Sequence, residues 1–575
     1  MAGDVIVLKF GSSVLRTRAD LPAVVHEIYR WHRAGSRVIA VVSAIGDATE
    51  ILLAQARELC ADAEPHAVAE LLATGERHAA SLLGVALDRA GVSARVLDPR
   101  EVQLLAPGSV LDSEPAAVNA DKLRRLMDVT PVLVLPGFFG YDLAGRLHLL
   151  GRGGSDLSAA FLATALRARC RLIKDVDGVY EADPAIASEN PARRYASLSY
   201  SDALRCAGQL IQPKAVQLLQ RYGRDAEIAA LAQPHASIVG TYGATLDHAA
   251  PRPPTNVLLL GLGTVGFGVY QRLAALPEHF RVVGIFVRNR AKHLAKGVPS
   301  ELLHVRRQSL TDLSPDIVVD ALSDSEASRR LARLYLSDAV PVVTASKTLI
   351  AHAGGMLARL ARDQSTSLRY SAAVGGSTPM IEAVDRAALA GKIHSLCGIL
   401  NGTCNFLLDR CGAGASFSTA LREAQSLGLA EADPAEDLSG ADSARKLAIL
   451  ARHAFGKELS ELEVEPLTEE VIRGNLKARP NLSSLHLVCR AWREGSRIFG
   501  RVQLEALDME HALADTRGEW NGLVISHGDN IETTVFGRGA GRWPTTEAIV
   551  ADLFAQRFED ADQPGVRRAE KSHAG

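Results

Sequence analysis

Short apolar runs separated by segments of helical periodicity recur along most of the chain, at residues 5–8, 38–42, 132–135 and 172–174, then at 257–260, 282–287, 317–320 and 340–343. Strand-like runs alternating with amphipathic stretches predict an α/β architecture with largely parallel sheets. The alternation is interrupted by His248-Ala-Ala-Pro-Arg-Pro-Pro-Thr255, which is proline-rich and stands directly ahead of a fresh strand. Residues 246–255 therefore read as a linker between domains. At 575 residues the chain is too long for one core, so two to four domains are expected. The sequence beyond about residue 560 is polar and charged, and residues 556–575 are expected to form a flexible tail.

Composition narrows the function classes. A formal net charge of −2 gives no electrostatic attraction to nucleic acid or to an anionic membrane, and 5% aromatic residues provide little base-stacking surface. The apolar runs are too short or too interrupted to span a bilayer, and the start, Asp4-Val-Ile-Val-Leu-Lys9, lacks the layout of a signal peptide. Seven scattered cysteines with no C-x-x-C pair fit a reducing cytoplasm and argue against a structural zinc site.

Candidate chemistry is concentrated at a few positions. Gly261-Leu-Gly-Thr-Val-Gly266 follows a strand-like run and precedes a helical one, the setting of a dinucleotide-binding turn, so Gly261, Gly263, Thr264, Val265 and Gly266 are candidate cofactor contacts. The next strand ends in Arg288-Asn-Arg290, where an acid would suit the ribose 2′-hydroxyl of NAD(H). Basic side chains there favour a 2′-phosphate, hence NADP(H) over NAD(H). Further on, Asp442 and Lys446 stand four residues apart, on one face of a helix. A lysine beside a carboxylate in the same chain as a nicotinamide site suits proton transfer coupled to hydride transfer.

Val342-Val-Thr-Ala-Ser-Lys347, Gly398-Ile-Leu-Asn-Gly-Thr-Cys-Asn-Phe406, residues 431–446 and Gly537-Arg-Gly-Ala-Gly541 resemble homoserine dehydrogenase in order and spacing, over nearly all of residues 255–555. The resemblance implies reversible reduction of aspartate 4-semialdehyde to homoserine. It makes Lys446 the proton donor, Asp442 its orienting partner, Glu431 and Asp437 substrate ligands, and Lys347 a neighbour of the nicotinamide and the reacting oxygen. In Tyr370-Ser-Ala-Ala-Val-Gly-Gly-Ser-Thr-Pro379, Ser371 takes the place of a glutamate that helps some members hold a monovalent cation, so a cation site near Val374 is expected to be weak or lost. Ser346 likewise replaces an asparagine. A competing reading, aspartate-semialdehyde dehydrogenase, needs a cysteine nucleophile, for which Cys404 is the candidate.

The first half lacks a G-x-x-x-x-G-K-[ST] loop but carries Lys9-Phe-Gly-Ser-Ser-Val14, Val41-Val-Ser-Ala44, Ala73-Thr-Gly-Glu76, Gly151-Arg-Gly-Gly-Ser-Asp156 and Lys174-Asp-Val-Asp-Gly-Val-Tyr180. These resemble aspartate kinase of the amino-acid-kinase family. The resemblance implies transfer of the ATP γ-phosphoryl group to the aspartate β-carboxylate with Mg2+. It places Lys9 on the transferring group, Thr49, Glu76, Arg152 and Asp156 on the amino acid, and Lys174, Asp175, Tyr180 and Asp183 in the nucleotide pocket. The first loop is one residue short, Ala185 follows Asp-Pro where the family has arginine, and Gln209 stands where it has lysine. An active aspartate kinase, a kinase for a related acid (the short loop also resembles glutamate 5-kinase) and a non-catalytic binding or dimerisation module all remain open.

The expected architecture is an amino-acid-kinase-like α/β sandwich at 1–245, a Rossmann domain at 256–375 and an α+β substrate domain at 376–555 whose C-terminal part returns to the Rossmann domain. Fused enzymes of these two types usually carry regulatory amino-acid-binding domains between the halves. About a dozen residues separate the two patterns here, too few for a domain, so no feedback site of that type is expected. Both resembled families imply a homodimer or higher homo-oligomer.

Overall fold

The computed structural model describes residues 4–184, 192–206, 208, 210–247, 252–310, 312–431, 433–478 and 485–562. Ala185 and Gln209, singled out above, lie outside them. The chain divides into two compact units, Met1–Pro251 and Arg252–Gly575.

The first unit is built on a nine-stranded sheet in the order Thr245–Asp247, Arg194–Ser199, Ser237–Gly240, Ala226–Ala230, Arg169–Lys174, Val5–Phe10, Arg37–Val42, Val132–Pro136, Ala94–Val96. From Ala226–Ala230 to Ala94–Val96 every neighbour pair is parallel. Parallel strands are covered on both faces, which is why their sequences read as unbroken apolar runs. Val7, Ile39, Leu133 and Leu172 are fully buried in one core with the helix Gly154–Leu166. That helix is apolar on nearly all sides, and its Ser158, Ala159 and Ala160 are small enough to let it sit close against its neighbours.

The second unit contains two sheets. Its first has the order Leu303–His304, Phe280–Phe286, Thr255–Leu260, Ile317–Asp320, Val342–Thr344, Leu368–Arg369, and every pair is parallel. Numbered along the chain this is 3-2-1-4-5-6, the doubly wound order whose ligand crevice opens at the carboxyl ends of strands one and four. The second sheet runs Glu461–Val464, Arg497–Ala506, Leu485–Glu494, Ile393–Ile399, Trp520–His527, Ile531–Arg538 and is antiparallel apart from its first pair. The helices Met380–Ala390, Gly402–Gly412 and Ala441–Phe455 share its core, where Leu447 and Leu450 are fully buried. Each such leucine contributes about 1.5–3 kcal/mol by burial.

The last helix, Arg542–Asp562, returns to the helix Thr264–Ala274 of the first sheet. Arg272 and Glu547 form a buried ion pair of 3.0 Å between them, and Phe554 packs edge-on against Phe280. This helix carries residues 556–562 into regular structure, against the expectation that the tail begins at 556: the Phe554 and Phe558 rings meet at a tilt, 5.7 Å between centroids, in its last turns. Among the described residues no helix is long and apolar enough to cross a membrane.

Candidate functional site

The dinucleotide turn shows three different demands on its three glycines. Gly261 has φ +96°, and a Cβ there would lie 2.7 Å from the Ala321 carbonyl oxygen. A Cβ on Gly266 would stand 2.3 Å from the Gly261 carbonyl oxygen, so the helix can start this close to the strand only with glycine. Gly263 faces open space, which leaves its backbone approachable by a phosphate. Thr264 and Val265 are the first residues of the helix, whose leading N–H groups have no partner within it. Beyond the second strand, exposed Arg288 donates to Asp324 Oδ2 at 2.8 Å, while Asp324 Oδ1 caps the helix Ser325–Ser337. Arg290 donates to the Ser300 carbonyl at 2.9 Å.

A relay of hydrogen bonds fixes the end of the fifth strand. Fully buried Asp320 accepts from Ser328 Oγ and from Thr344 Oγ1, the latter at 2.8 Å. Desolvation pushes the Asp320 carboxyl upward and these bonds only partly counter it. Thr344 Oγ1 in turn accepts from Ser346 N–H, and Ser346 caps the helix Lys347–Asp363. Lys347 is thereby held at the first position of that helix, at the carboxyl edge of the sheet. Ser346, noted above as a departure from the family pattern, serves as the cap.

The helix Ala441–Phe455 starts from Gly440 at φ +77° and carries Asp442 in its first turn. Asp442 accepts from Lys347 through Oδ1 and from Lys446 through Oδ2 at 2.8 Å. Lys446 also donates to the Leu400 carbonyl at 2.6 Å. The two lysines differ in setting, with the Lys347 side chain 42% exposed and that of Lys446 6% exposed. Burial opposes ionisation of Asp442, but Lys446 and Lys347 together outweigh it and hold the carboxyl far below the usual range.

Asn401 completes this centre and was not singled out as a site residue from sequence. Its Nδ2 donates to Asp437 Oδ1 at 2.7 Å and to Asp442 Oδ2 at 3.0 Å, while its Oδ1 caps the helix Gly402–Gly412 through Cys404 N–H. The signal available was an asparagine between an apolar strand and a Gly-Thr helix start, a capping position that also faces the carboxyl end of a strand. Glu431 is placed differently from Asp437. It is exposed, and among the described residues its carboxylate joins no hydrogen bond or ion pair, although its backbone carbonyl accepts from Gln425. Ser371 is buried and donates to Glu382 Oε1 at 2.5 Å, so a carboxylate from the helix Met380–Ala390 meets the position that lacks one; the neighbouring Val374 is fully buried. Cys404 is buried, donates to the Asp437 carbonyl at 3.3 Å, and burial drives its thiol pKa far up. That is the opposite of what a thioester-forming nucleophile needs.

The first unit holds a second carboxylate between two lysines. Asp156, in the first turn of the helix Gly154–Leu166 behind Gly153 at φ +71°, pairs with Lys9 at 2.7 Å and with Lys174 at 2.9 Å. Gln212 N–H donates to it at 3.3 Å. Burial opposes the Asp156 charge, and the two ammonium groups overcome it and lower its pKa. The resemblance places Lys174 in the nucleotide pocket and Asp156 on the amino acid; the fold joins them. Glu76 is 3% exposed, accepts from Ala44 N–H through Oε1, and has a buried Oε2 with no hydrogen-bond partner among the described residues. Desolvation pushes its carboxyl up to about 7. Thr49 is half-buried near the start of the helix Ala48–Leu59, and Arg152 is exposed beside Gly153. Asp175 and Asp183 are exposed, and the Tyr180 hydroxyl donates to Asp177 at 2.6 Å; burial, and then this bond, pushes it up to about 12.

Three family models match the chain in sequence order: the amino acid kinase family over residues 4–229, the NAD binding domain of homoserine dehydrogenase over 261–371, and homoserine dehydrogenase over 379–554. Among curated relatives, homoserine dehydrogenase of Bacillus subtilis is 31% identical over 318 residues, covering 52% of this chain and 72% of that protein. The Mycobacterium tuberculosis homoserine dehydrogenase is 34% identical over 319 residues, 52% of this chain and 71% of its own length. Among solved structures, a homoserine dehydrogenase from Thiobacillus denitrificans superimposes with a TM-score of 0.50 at 34% identity, over 54% of this chain and 74% of that one.

Proposed function

The chain belongs to the homoserine dehydrogenase family and carries an amino-acid-kinase-family domain ahead of it, and on that premise we propose a bifunctional enzyme. The second unit interconverts aspartate 4-semialdehyde and homoserine with NADP(H), and the first phosphorylates aspartate with ATP. The observation that carries the dehydrogenase reading is the Asp442 carboxylate shared by Lys347 and Lys446. One lysine enters from the dinucleotide-binding sheet and the other from the substrate domain.

The residues fit a nicotinamide dinucleotide. Gly263 leaves its backbone open to the pyrophosphate, and Arg288 and Arg290 supply positive charge beyond the second strand, where a 2′-phosphate would lie. When bound, the nicotinamide supplies or accepts the hydride. Lys446 spends two of its three N–H groups on Leu400 and Asp442, leaving one for the carbonyl oxygen of the semialdehyde. As the carbon receives hydride, the carbonyl π pair moves to oxygen and takes the Lys446 proton. Asp442 keeps that ammonium aimed and charged beforehand, and Asn401 keeps Asp442 from rotating away. The half-exposed Lys347 favours a second assignment, in which it is the lysine that meets solvent and recovers the proton.

For the first unit, support comes from the buried Lys9–Asp156–Lys174 cluster at the helix start and from Glu76, whose unpartnered oxygen suits an α-ammonium. Magnesium would enter with the nucleotide phosphates. The shortened Lys9-Phe-Gly-Ser-Ser13 turn favours the alternative that this half is a non-catalytic binding or dimerisation module. One preparation of the full chain tests both halves. NADPH oxidation with aspartate semialdehyde is expected, as is a hydroxylamine-trapped acyl phosphate with ATP, Mg2+ and aspartate. Dehydrogenase turnover without acyl phosphate from aspartate or glutamate would leave one working active site. Light scattering on the same sample is expected to give a homodimer or higher oligomer, and a monomer would refute that part.

A further inference from the structure

We propose that Lys174 is a second catalytic cation of the first unit, acting with Lys9 on the transferring phosphoryl group, an assignment that rests on the kinase reading above. The two lysines come from adjacent parallel strands, in which Lys9 is level with Leu172 and Phe10 with Ile173. Because side chains alternate along a strand, Leu172 and Lys174 point to the same face of the sheet as Lys9. The ammonium groups are thus one pleat apart at the carboxyl edge, where a substrate of a parallel sheet is met.

Their surroundings leave a charge to be matched. Lys174 donates to both oxygens of Asp156, at 2.9 and 3.1 Å, and Lys9 shares one of them. Two cations on one carboxylate leave a net positive charge among side chains that are 8%, 10% and 5% exposed. Asp175, the other carboxylate acting on Lys174, is exposed and interacts more weakly. A buried excess charge is costly to hold unless an anion completes it. Gly11 in the first loop leaves room for Lys9 Nζ at this position, because a Cβ there would stand 2.6 Å from it. Burial and then the neighbouring Lys9 bring Lys174 down to about 8, Asp156 notwithstanding.

In the step itself, a β-carboxylate oxygen of aspartate forms a bond to the γ-phosphorus, the bond from that phosphorus to the β,γ-bridging oxygen breaks, and ADP leaves with the electron pair. No proton is required. The three equatorial oxygens carry the charge throughout, and two fixed ammonium groups can follow it.

The test uses the full-length chain with Lys174→Met and Lys174→Arg, with dehydrogenase activity and circular dichroism as controls for folding. The acyl-phosphate assay is expected to show kcat lowered on the order of 10²–10³-fold in Lys174→Met, with the KM for aspartate changed less than about threefold. Lys174→Arg should recover part of the loss and move the alkaline limb of kcat, expected near pH 8, to higher pH, which a purely structural pin would not do. In parallel, the affinity for ATP relative to ADP is measured by calorimetry, and Lys174→Met should lose the preference for ATP. Wild-type kcat in Lys174→Met overturns the proposal and leaves the kinase reading standing. A wild-type chain that makes no acyl phosphate, yet prefers ATP to ADP through Lys174, refutes the kinase reading and the catalytic role with it, and leaves Lys174 only as a ligand of the γ-phosphate. A chain with neither turnover nor that preference overturns both.

Discussion

Asp442 and Asp156 sit in nearly the same local setting and are surrounded in opposite ways. Each lies in the first turn of a helix that starts from a left-handed glycine, Gly440 or Gly153, and each takes two lysines. Around Asp442 the lysines are unequal, one side chain 42% and the other 6% exposed; around Asp156 both are within a tenth of full burial. The inequality suits proton transfer, in which one ammonium must face the reacting oxygen and another can exchange with water. The matched buried pair suits a charge that migrates between oxygens with no proton to deliver. A shared motif of carboxylate and helix start does not define a chemistry; the exposure of its cations does.

The comparison breaks most sharply at the carboxylates. Asp156→Ala should abolish acyl-phosphate formation and lower the stability of the first unit by about 3–5 kcal/mol, because two buried ammonium groups lose their partner; urea unfolding followed by circular dichroism reads the second effect. Asp442→Asn should reduce dehydrogenase kcat on the order of 10³-fold in steady-state assays. The lysines around Asp442 should then separate, with Lys446→Ala losing on the order of 10²–10⁴ in kcat and Lys347→Ala losing less while raising KM. Equal losses would remove the asymmetry between the two lysines.

Acidity offers a finer test, since the carboxylates respond with opposite signs. Asp156 and Asp442 have folded pKa values below their ordinary 3.8, so the unfolded chain binds more protons as pH falls through that value and their stabilising contribution is lost in acid. Glu76 is raised from 4.5 to about 7, so the folded state holds the extra proton in that window and stability from this group falls as pH rises through it. Unfolding curves of Glu76→Gln should lack that decline, and the wild-type KM for aspartate should fall as pH rises through about 7, when the carboxylate that meets the ammonium forms. The smallest effect is expected at Arg288→Asp, which should shift the NADPH-to-NADH ratio of kcat/KM toward NADH by about tenfold, roughly one lost charge contact.

Much of this was open to reading along the chain. Gly261, Gly263 and Gly266 announced the dinucleotide turn because a tight turn, an open approach and a close packing each exclude a Cβ for its own reason. Asp442 and Lys446 could be paired because one helical turn separates them. Asn401 escaped because it is 41 residues from the Asp442 it holds, and nothing local distinguishes a cap that also grips a distant carboxylate from an ordinary one. Glu431, placed with the substrate by its position in a pattern, is exposed with its carboxylate outside the cluster.

The periodicities, and with them the parallel sheets, the glycine turn and the pairing within one helix, are written in the chain itself, since all of these follow from backbone geometry and near neighbours. Which lysines meet which carboxylate depends on how distant elements pack. Lys347 reaches Asp442 across 95 residues, and Lys9 joins Lys174 on Asp156 because two strands far apart in sequence lie side by side in register. Exposure, and therefore the strength and freedom of each charge, depends on everything packed around a side chain, and no local stretch of sequence contains that information.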